Sequence, residues 1–221
     1  MSKVIGPIIV DDFFTKQEIA QIYKLIIEKR LKGFKETGDE WSEFNRNPSN
    51  GFIAMMDGQE IPQNLKDKFE QHVSEYIGEK AAPSGGLWAR YSLESGYDPT
   101  LMPHCDRSEP YIGYYCNVEL DTNIDWDFYM IHEKIPMIRN RAVFFTGTHM
   151  PHWRPDYFFQ KDDFYDIILF QTTALSNYEQ NKPKITEEFR DQMDEQCNEI
   201  GQQYKDQLTI GLGRKQHVPR Y

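Results

Sequence analysis

Cysteine is scarce in this chain. There are three in 221 residues, Cys105, Cys116 and Cys197, an odd number at spacings that suit neither a disulfide framework nor a cysteine zinc site. Long apolar runs are missing too. The longest are a few residues, as in Ile167-Ile168-Leu169-Phe170, whereas a bilayer span needs about 20. The opening MSKVIGPIIVDDFF has no apolar stretch of signal-peptide length, so the expected location is cytoplasmic, away from membranes. Positive charge is in deficit: 25 Lys and Arg against 35 Asp and Glu give a net charge of −10. Phosphate contacts supply most of a nucleic-acid binder's affinity, so this balance argues against nucleic acid as a partner. There is no internal repeat and no low-complexity tract.

What is present is enough for one domain with a sizeable core, since 39% of residues are apolar and 14% aromatic. Residues 4–10, VIGPIIV, read as a strand. The next segment reads as a helix, with Thr15 and Glu18 as a capping box and Ile19, Ile22, Tyr23 and Ile26 on one face. Residues 31–60 are polar and read as a long loop with one short strand. Leu65, Phe69, Val73, Tyr76 and Ile77 mark a second amphipathic helix, which AAPSGG at 81–86 ends.

From 87 onward short aromatic-rich runs alternate with turn formers: 87–93, 111–120, 126–132, 142–146 and 164–171. This spacing predicts a sandwich or barrel. Thr186 then caps a last helix, over about 186–208, whose stripe is Phe189, Met193, Ile200 and Tyr204. The expected layout is mainly β with flanking helices. One domain spans 1–175. A C-terminal helix and tail, 176–221, either packs on it or meets a second copy as a homodimer.

The stretch MPHCDRSEPY carries the chemistry. On a strand, residues i and i+2 point to the same side, so His104 and Asp106 can share one metal. A lone His-x-Asp is more often a surface turn. A third ligand would complete the two-His, one-carboxylate set that holds non-haem iron(II) with open positions. Of the six histidines, His149 and His152 follow the apolar strand AVFFT in GTHMPHWRP. Strand, turn, histidine and a further strand, about 48 residues after the first motif, make a particular order of parts.

In that order the chain resembles the Fe(II)- and 2-oxoglutarate-dependent oxygenases, in particular their prolyl-hydroxylase-like branch. LWARYSLESGYDPTLMPHCD is similar to that branch's strand, loop and His-x-Asp. YIGYYCNVEL is similar to the strand after it, NRAVFFTGTHMPHWRP to the strand with the distal histidine, and VIGPIIVDDFFTKQEIAQI to the opening strand and helix. The resemblance covers most of residues 4–171. It implies a double-stranded β-helix (jelly roll) core, with His104, Asp106 and His152 as metal ligands. His152 is preferred to His149 because its Pro-His step matches. No catalytic residue beyond the ligands is implied.

The resemblance also implies Fe(II), 2-oxoglutarate and O2, with ascorbate keeping the iron reduced, and a hydroxylase of a peptidyl or small-molecule substrate. Asp106 favours hydroxylation, because the family's halogenases leave that position open. One part departs from the pattern. The family places a basic residue on its final core strand to pair with the far carboxylate, and FYDIILFQ has none. Arg154 is preferred in its place, two residues from His152, with Lys161 and Arg90 as alternatives. Tyr91 and Tyr115 are the phenols expected to contact the co-substrate. Two other readings stand beside this one. A jelly-roll binding protein would have lost catalysis, as the missing base suggests. A zinc hydrolase would use the same His2Asp set.

Overall fold

The computed structural model describes residues 3–36, 46–47, 52–57, 60–96, 98–106, 111–180 and 185–212. Two antiparallel sheets face each other. The larger has seven strands: β1 (Ile8–Val10), β2 (Arg46–Asn47), β3 (Phe52–Asp57), β4 (Gly85–Tyr91), β6 (Tyr114–Thr122), β9 (Ala142–Phe145) and β11 (Tyr165–Thr172), in the order β1-β9-β6-β11-β4-β3-β2. The smaller has β5 (Leu101–His104), β7 (Phe128–Met130), β8 (Glu133–Ile135) and β10 (His152–Arg154), in the order β5-β10-β7-β8. With helices packed outside the larger sheet, this is the double-stranded β-helix that the sequence implied.

Two helices cover the outer face of the larger sheet. Helix α1 (Lys16–Glu36) starts on the expected box: the Glu18 N–H donates to Thr15 Oγ1 at 3.2 Å and the Thr15 N–H to Glu18 Oε2 at 2.7 Å. Helix α2 (Gln63–Ile77) ends on Gly78, whose φ of 77° is the left-handed cap glycine favours. Ile22 and Ile26 of α1 and Leu65, Phe69 and Val73 of α2 form one core with Trp88, Cys116, Val118, Ile168 and Phe170 of the sheet. The alternate residues of the same strands face the smaller sheet: Leu87, Ala89 and Tyr91 of β4, Tyr115 of β6, and Tyr165, Ile167 and Leu169 of β11.

The elements differ from the expected ones at several ends. Strand β1 begins only after Pro7, which lacks the N–H a ladder needs. Helix α1 runs on to Glu36 and β2 and β3 lie beyond it, all inside the stretch read as a loop. The run 126–132 yields only β7, because Ile131 turns to a φ of 56° and gives its N–H to the Pro151 carbonyl at 2.7 Å. A short helix, α3 (Leu175–Gln180), was not legible. Residues 37–45, and the tail 213–221 with His217, lie outside the described residues.

The last helix, α4 (Glu187–Leu212), starts as read: the Phe189 N–H donates to Thr186 Oγ1 at 3.2 Å. Its stripe is used within the chain. Phe189 lies against the His149 ring at 4.5 Å and Tyr204 against Trp153 at 4.3 Å, which places the helix on the outside of the smaller sheet. Ile200 is buried there. Ile200→Ala is expected to lower the unfolding free energy by about 2–5 kcal/mol in urea titration, the usual range for emptying such a site. No helix among the described residues is long and apolar enough to cross a membrane.

Candidate metal centre

The two strands that carry the histidines are neighbours. His104 of β5 sits opposite His152 of β10 in register, with the rings 4.3 Å apart. Between His152 and Arg154 the register shifts, so two steps on β10 match three on β5. Pro103 stands in that irregularity. A proline within a strand marks such a bulge, and a bulge re-aims the side chain beside it.

Asp106 completes the group just past the end of β5. His104 Nε2 lies 3.6 Å from Asp106 Oδ1, and His152 Nε2 lies 3.5 Å from Asp106 Oδ2. Each residue offers one ligand atom, and these atoms all lie within 4.8 Å of one another. His104 Nδ1 is 2.8 Å from the Met102 carbonyl and His152 Nδ1 is 3.0 Å from the Met150 carbonyl. A carbonyl only accepts, so each ring carries its proton on Nδ1. Each therefore turns the Nε2 lone pair toward the carboxylate. Two lone pairs and an anion converging without a proton between them repel one another, and a cation at their centre removes the conflict.

The three groups also shift one another's titration. Burial, opposed by Asp106, pulls the His152 pKa down to about 4. Burial alone would lower His104 also, but the Asp106 carboxylate outweighs it and the pKa rises. Burial pushes the Asp106 carboxyl up, and the two histidines outweigh it and hold it below its ordinary value.

The other described histidines stand elsewhere. His149 is in the turn before β10, with Nδ1 2.9 Å from Thr148 Oγ1 and its ring on Phe189. His72 packs on Phe13 and Tyr76, and His132 is an exposed turn residue.

A cavity of about 300 Å³ runs inward from the cluster between the sheets. Tyr91, Tyr115, Leu101, Ile167 and Leu169 line it, and so does Arg154. Arg154 is 3% exposed. Its guanidinium lies over the ring of Tyr165 at 4.2 Å, with Trp126 and Phe128 at 5.1 and 5.2 Å. Nη2 donates to the Tyr165 hydroxyl at 2.9 Å, and Nη1 donates to the Trp126 carbonyl. The Tyr165 hydroxyl donates onward to Glu119 Oε2 at 2.6 Å. Burial raises the Glu119 carboxyl pKa against the pull of Tyr165 and Arg154, and raises Tyr91 to about 12.

The alternatives to Arg154 do not reach this cavity. Arg90 pairs with Asp166 through two 2.7 Å hydrogen bonds, which also accounts for an acid on the final strand. Lys161 sits on an exposed turn.

No protein-family model matches the chain, and no curated protein does. Solved structures do. A prolyl hydroxylase from Trichoplax adhaerens, in complex with a hypoxia inducible factor peptide fragment, has a TM-score of 0.57 at 13% identity, covering 80% of this chain and 88% of that one. A prolyl-4-hydroxylase from Pseudomonas putida gives 0.52 at 12%, covering 76% and 92%. HygX from Streptomyces hygroscopicus, with nickel, 2-oxoglutarate and hygromycin B bound, gives 0.54 at 9%, covering 78% and 84%.

This chain shares the fold of these three solved structures.

Within that fold, two parts of the site had no clear sequence signal. Glu119 and Tyr165 looked like ordinary strand residues. Gly147 looked only like a turn former, yet a Cβ there would come within 2.2 Å of Asp106 Oδ2 and 2.5 Å of the Tyr115 ring. Its carbonyl also accepts the Asp106 N–H at 2.9 Å. Gly147→Ala must displace the carboxylate or the phenol ring. It is expected to weaken Mn(II) binding roughly 10- to 100-fold, as losing a support of a metal ligand typically does. Anaerobic titration of the folded variant measures this.

Proposed function

We propose that the protein is an Fe(II)- and 2-oxoglutarate-dependent dioxygenase acting as a hydroxylase. The observation that carries the reading is the convergence of His104 Nε2, His152 Nε2 and the Asp106 carboxylate at the head of a cavity lined by a buried arginine. Two imidazoles and one carboxylate are the donor set of non-haem iron(II) with positions left open. A cavity with a set of metal-binding side chains at one end and a guanidinium further in suits an elongated dicarboxylate that chelates at one end.

When bound, iron(II), 2-oxoglutarate and O2 together supply an oxidant that places one oxygen atom in a substrate C–H bond, the other leaving in succinate as CO2 is released. The chain's own residues do the rest. His104, Asp106 and His152 would hold the metal, with both rings fixed by their Nδ1 hydrogen bonds to backbone. Arg154, held by Tyr165, pairs with the far carboxylate, which would be costly to bury alone. Tyr91 and Tyr115 offer phenols to the bound acid. Leu87, Leu101, Ile167 and Leu169 keep the cavity walls apolar and exclude water. The substrate is a peptide or a small molecule: the Trichoplax enzyme and HygX, with the same fold, were solved with one of each.

Purified protein with Fe(II), ascorbate and air is expected to turn 2-oxoglutarate slowly into succinate, even without the true substrate. Mass spectrometry measures it. No succinate across a wide substrate panel would leave a binding protein without catalysis, and hydrolytic activity with Zn(II) in place of Fe(II) would make the protein a hydrolase.

A further inference from the structure

Two of the three thiols meet at the edge of the metal centre, and the reading above uses neither. Cys105 stands between the ligands His104 and Asp106, and Cys197 is on α4. The Cys105 and Cys197 thiols share a hydrogen bond, and the Cys197 sulfur also accepts the Cys105 backbone N–H. Cys197 is 6% exposed and Cys105 is half-buried. The packing around them is close. Cys197 and Gly201 are about one turn apart, so both face the same way, and a Cβ on Gly201 would stand 3.8 Å from Pro103 Cγ. Small residues at both positions let α4 lie directly on the end of β5. The third thiol, Cys116, is enclosed in the core between the larger sheet and its helices.

Two thiols in contact are close to bonding. A disulfide needs its sulfurs about 2 Å apart, so from a hydrogen bond only a short movement is required. Neither sulfur belongs to the converging ligand atoms, so metal binding does not account for the pair. A small cleft reaches it: Cys105 and Asp106 line one side, and Phe189, Met193 and Asp194 of α4 line the other. Its free space is about 20 Å³, room for a molecule a little larger than water. That suits a small peroxide better than a bulky disulfide reagent.

We propose that Cys105 and Cys197 are an oxidation site, at which hydrogen peroxide closes a disulfide that loosens the metal centre. In the first step one sulfur attacks the peroxide. The O–O bond breaks, a sulfenic acid forms and water leaves. In the second, the other sulfur attacks the sulfenic sulfur, the S–S bond forms and a second water leaves. Both thiol protons end in water, and two electrons pass from the sulfurs to the peroxide. A dithiol reductant reverses the bond by exchange. The effect on the metal follows from chain connectivity. Cys105 has a ligand on each side, and the Asp106 N–H is fixed to the Gly147 carbonyl at 2.9 Å. Drawing the Cys105 sulfur toward α4 turns the backbone that aims His104 and Asp106. The disulfide form is expected to hold metal roughly 10- to 100-fold more weakly, as loss of a ligand's support does. Bound metal resists the disulfide by the same factor. The loosening rests on the three-ligand reading of the metal centre, and the pairing of the thiols does not.

The full chain tests this without iron and without turnover. Metal-free, reduced protein is treated anaerobically with a slight excess of hydrogen peroxide, quenched with catalase, digested without reductant and mapped by mass spectrometry. A linked peptide pair joining Cys105 to Cys197 is expected, lost on treatment with dithiothreitol, with Cys116 still a thiol. Calorimetric titration with Mn(II) should show the weakened binding in the oxidised protein, and full recovery once it is reduced and the reductant removed. Cys197→Ser should bind Mn(II) as the reduced parent does and should not respond to peroxide. Cys105→Ser should not respond either, and replaces the first variant if that one fails to fold. Absence of the Cys105–Cys197 link, or sulfur acids at either residue in its place, overturns the site. A link formed with Mn(II) affinity unchanged overturns the loosening. So does a Cys197→Ser protein that still loses Mn(II) after peroxide, since oxidation elsewhere then explains the loss. A reduced parent that binds no Mn(II) overturns the metal centre, and the peptide map still decides the pairing.

Discussion

Arg154→Ala is expected to raise the dissociation constant for 2-oxoglutarate by at least about a hundredfold. Removing one partner of a buried pair typically costs about 3–5 kcal/mol, and each 1.4 kcal/mol is about tenfold. Burial of the guanidinium at 3% exposure, among three aromatic rings, makes this the severe case. Arg154→Lys should recover part of the loss, since lysine keeps the charge but not the planar fork. Mn(II) affinity should change little, because Arg154 is not among the converging ligands. Lys161→Ala should leave the constant at the parent value, its side chain being on an exposed turn. Arg90→Ala should cost stability through the two hydrogen bonds that Asp166 loses without changing the constant. Anaerobic calorimetry against Mn(II)-loaded protein decides it. A parental constant in Arg154→Ala, with a large loss in either of the other two, would move the anchor there.

His152→Ala is expected to have the other large effect. It removes one of three ligand atoms, so Mn(II) or Fe(II) affinity should fall by more than the roughly 10- to 100-fold that follows loss of an outer support. His104→Ala and Asp106→Ala should behave alike, and His149→Ala should bind as the parent does. Stability supplies a readout independent of activity. Metal at about 100 times its dissociation constant should stabilise the parent by roughly 2.7 kcal/mol, and at that same concentration the three ligand variants should gain almost nothing. A His152→Ala protein that keeps the parent's stabilisation while His149→Ala loses it would exchange their roles.

Much of this was legible in the sequence because it depends on short-range rules. Thr15 and Glu18 lie one helical turn apart and cap α1 wherever that helix packs. His104 and Asp106 are two residues apart, close enough to serve one metal from the end of a strand. The order of strand, turn and Pro-His before β10 gave His152 in preference to His149, and the two rings do meet across β5 and β10. The middle of the chain read poorly for a physical reason. Strands β4 and β6 are buried on both faces, one against helices and one against the smaller sheet, so their apolar content hardly alternates and their ends blur.

Alone, then, the sequence determined the mainly β class, the starts of α1 and α4 and the close spacing of His104 and Asp106, since these follow from composition, caps and spacings of a few residues. Tertiary structure alone decided which basic residue faces the cavity. Arg154 turns inward beside His152 while Arg90 is taken by Asp166 on the next strand. It also brought Glu119 and Tyr165 to Arg154, 35 and 11 residues apart in the chain, and pressed Gly147 against Asp106. A period of two divides a strand's residues between two faces. Only long-range pairing sets what each face meets, because it depends on register with strands far away in the chain.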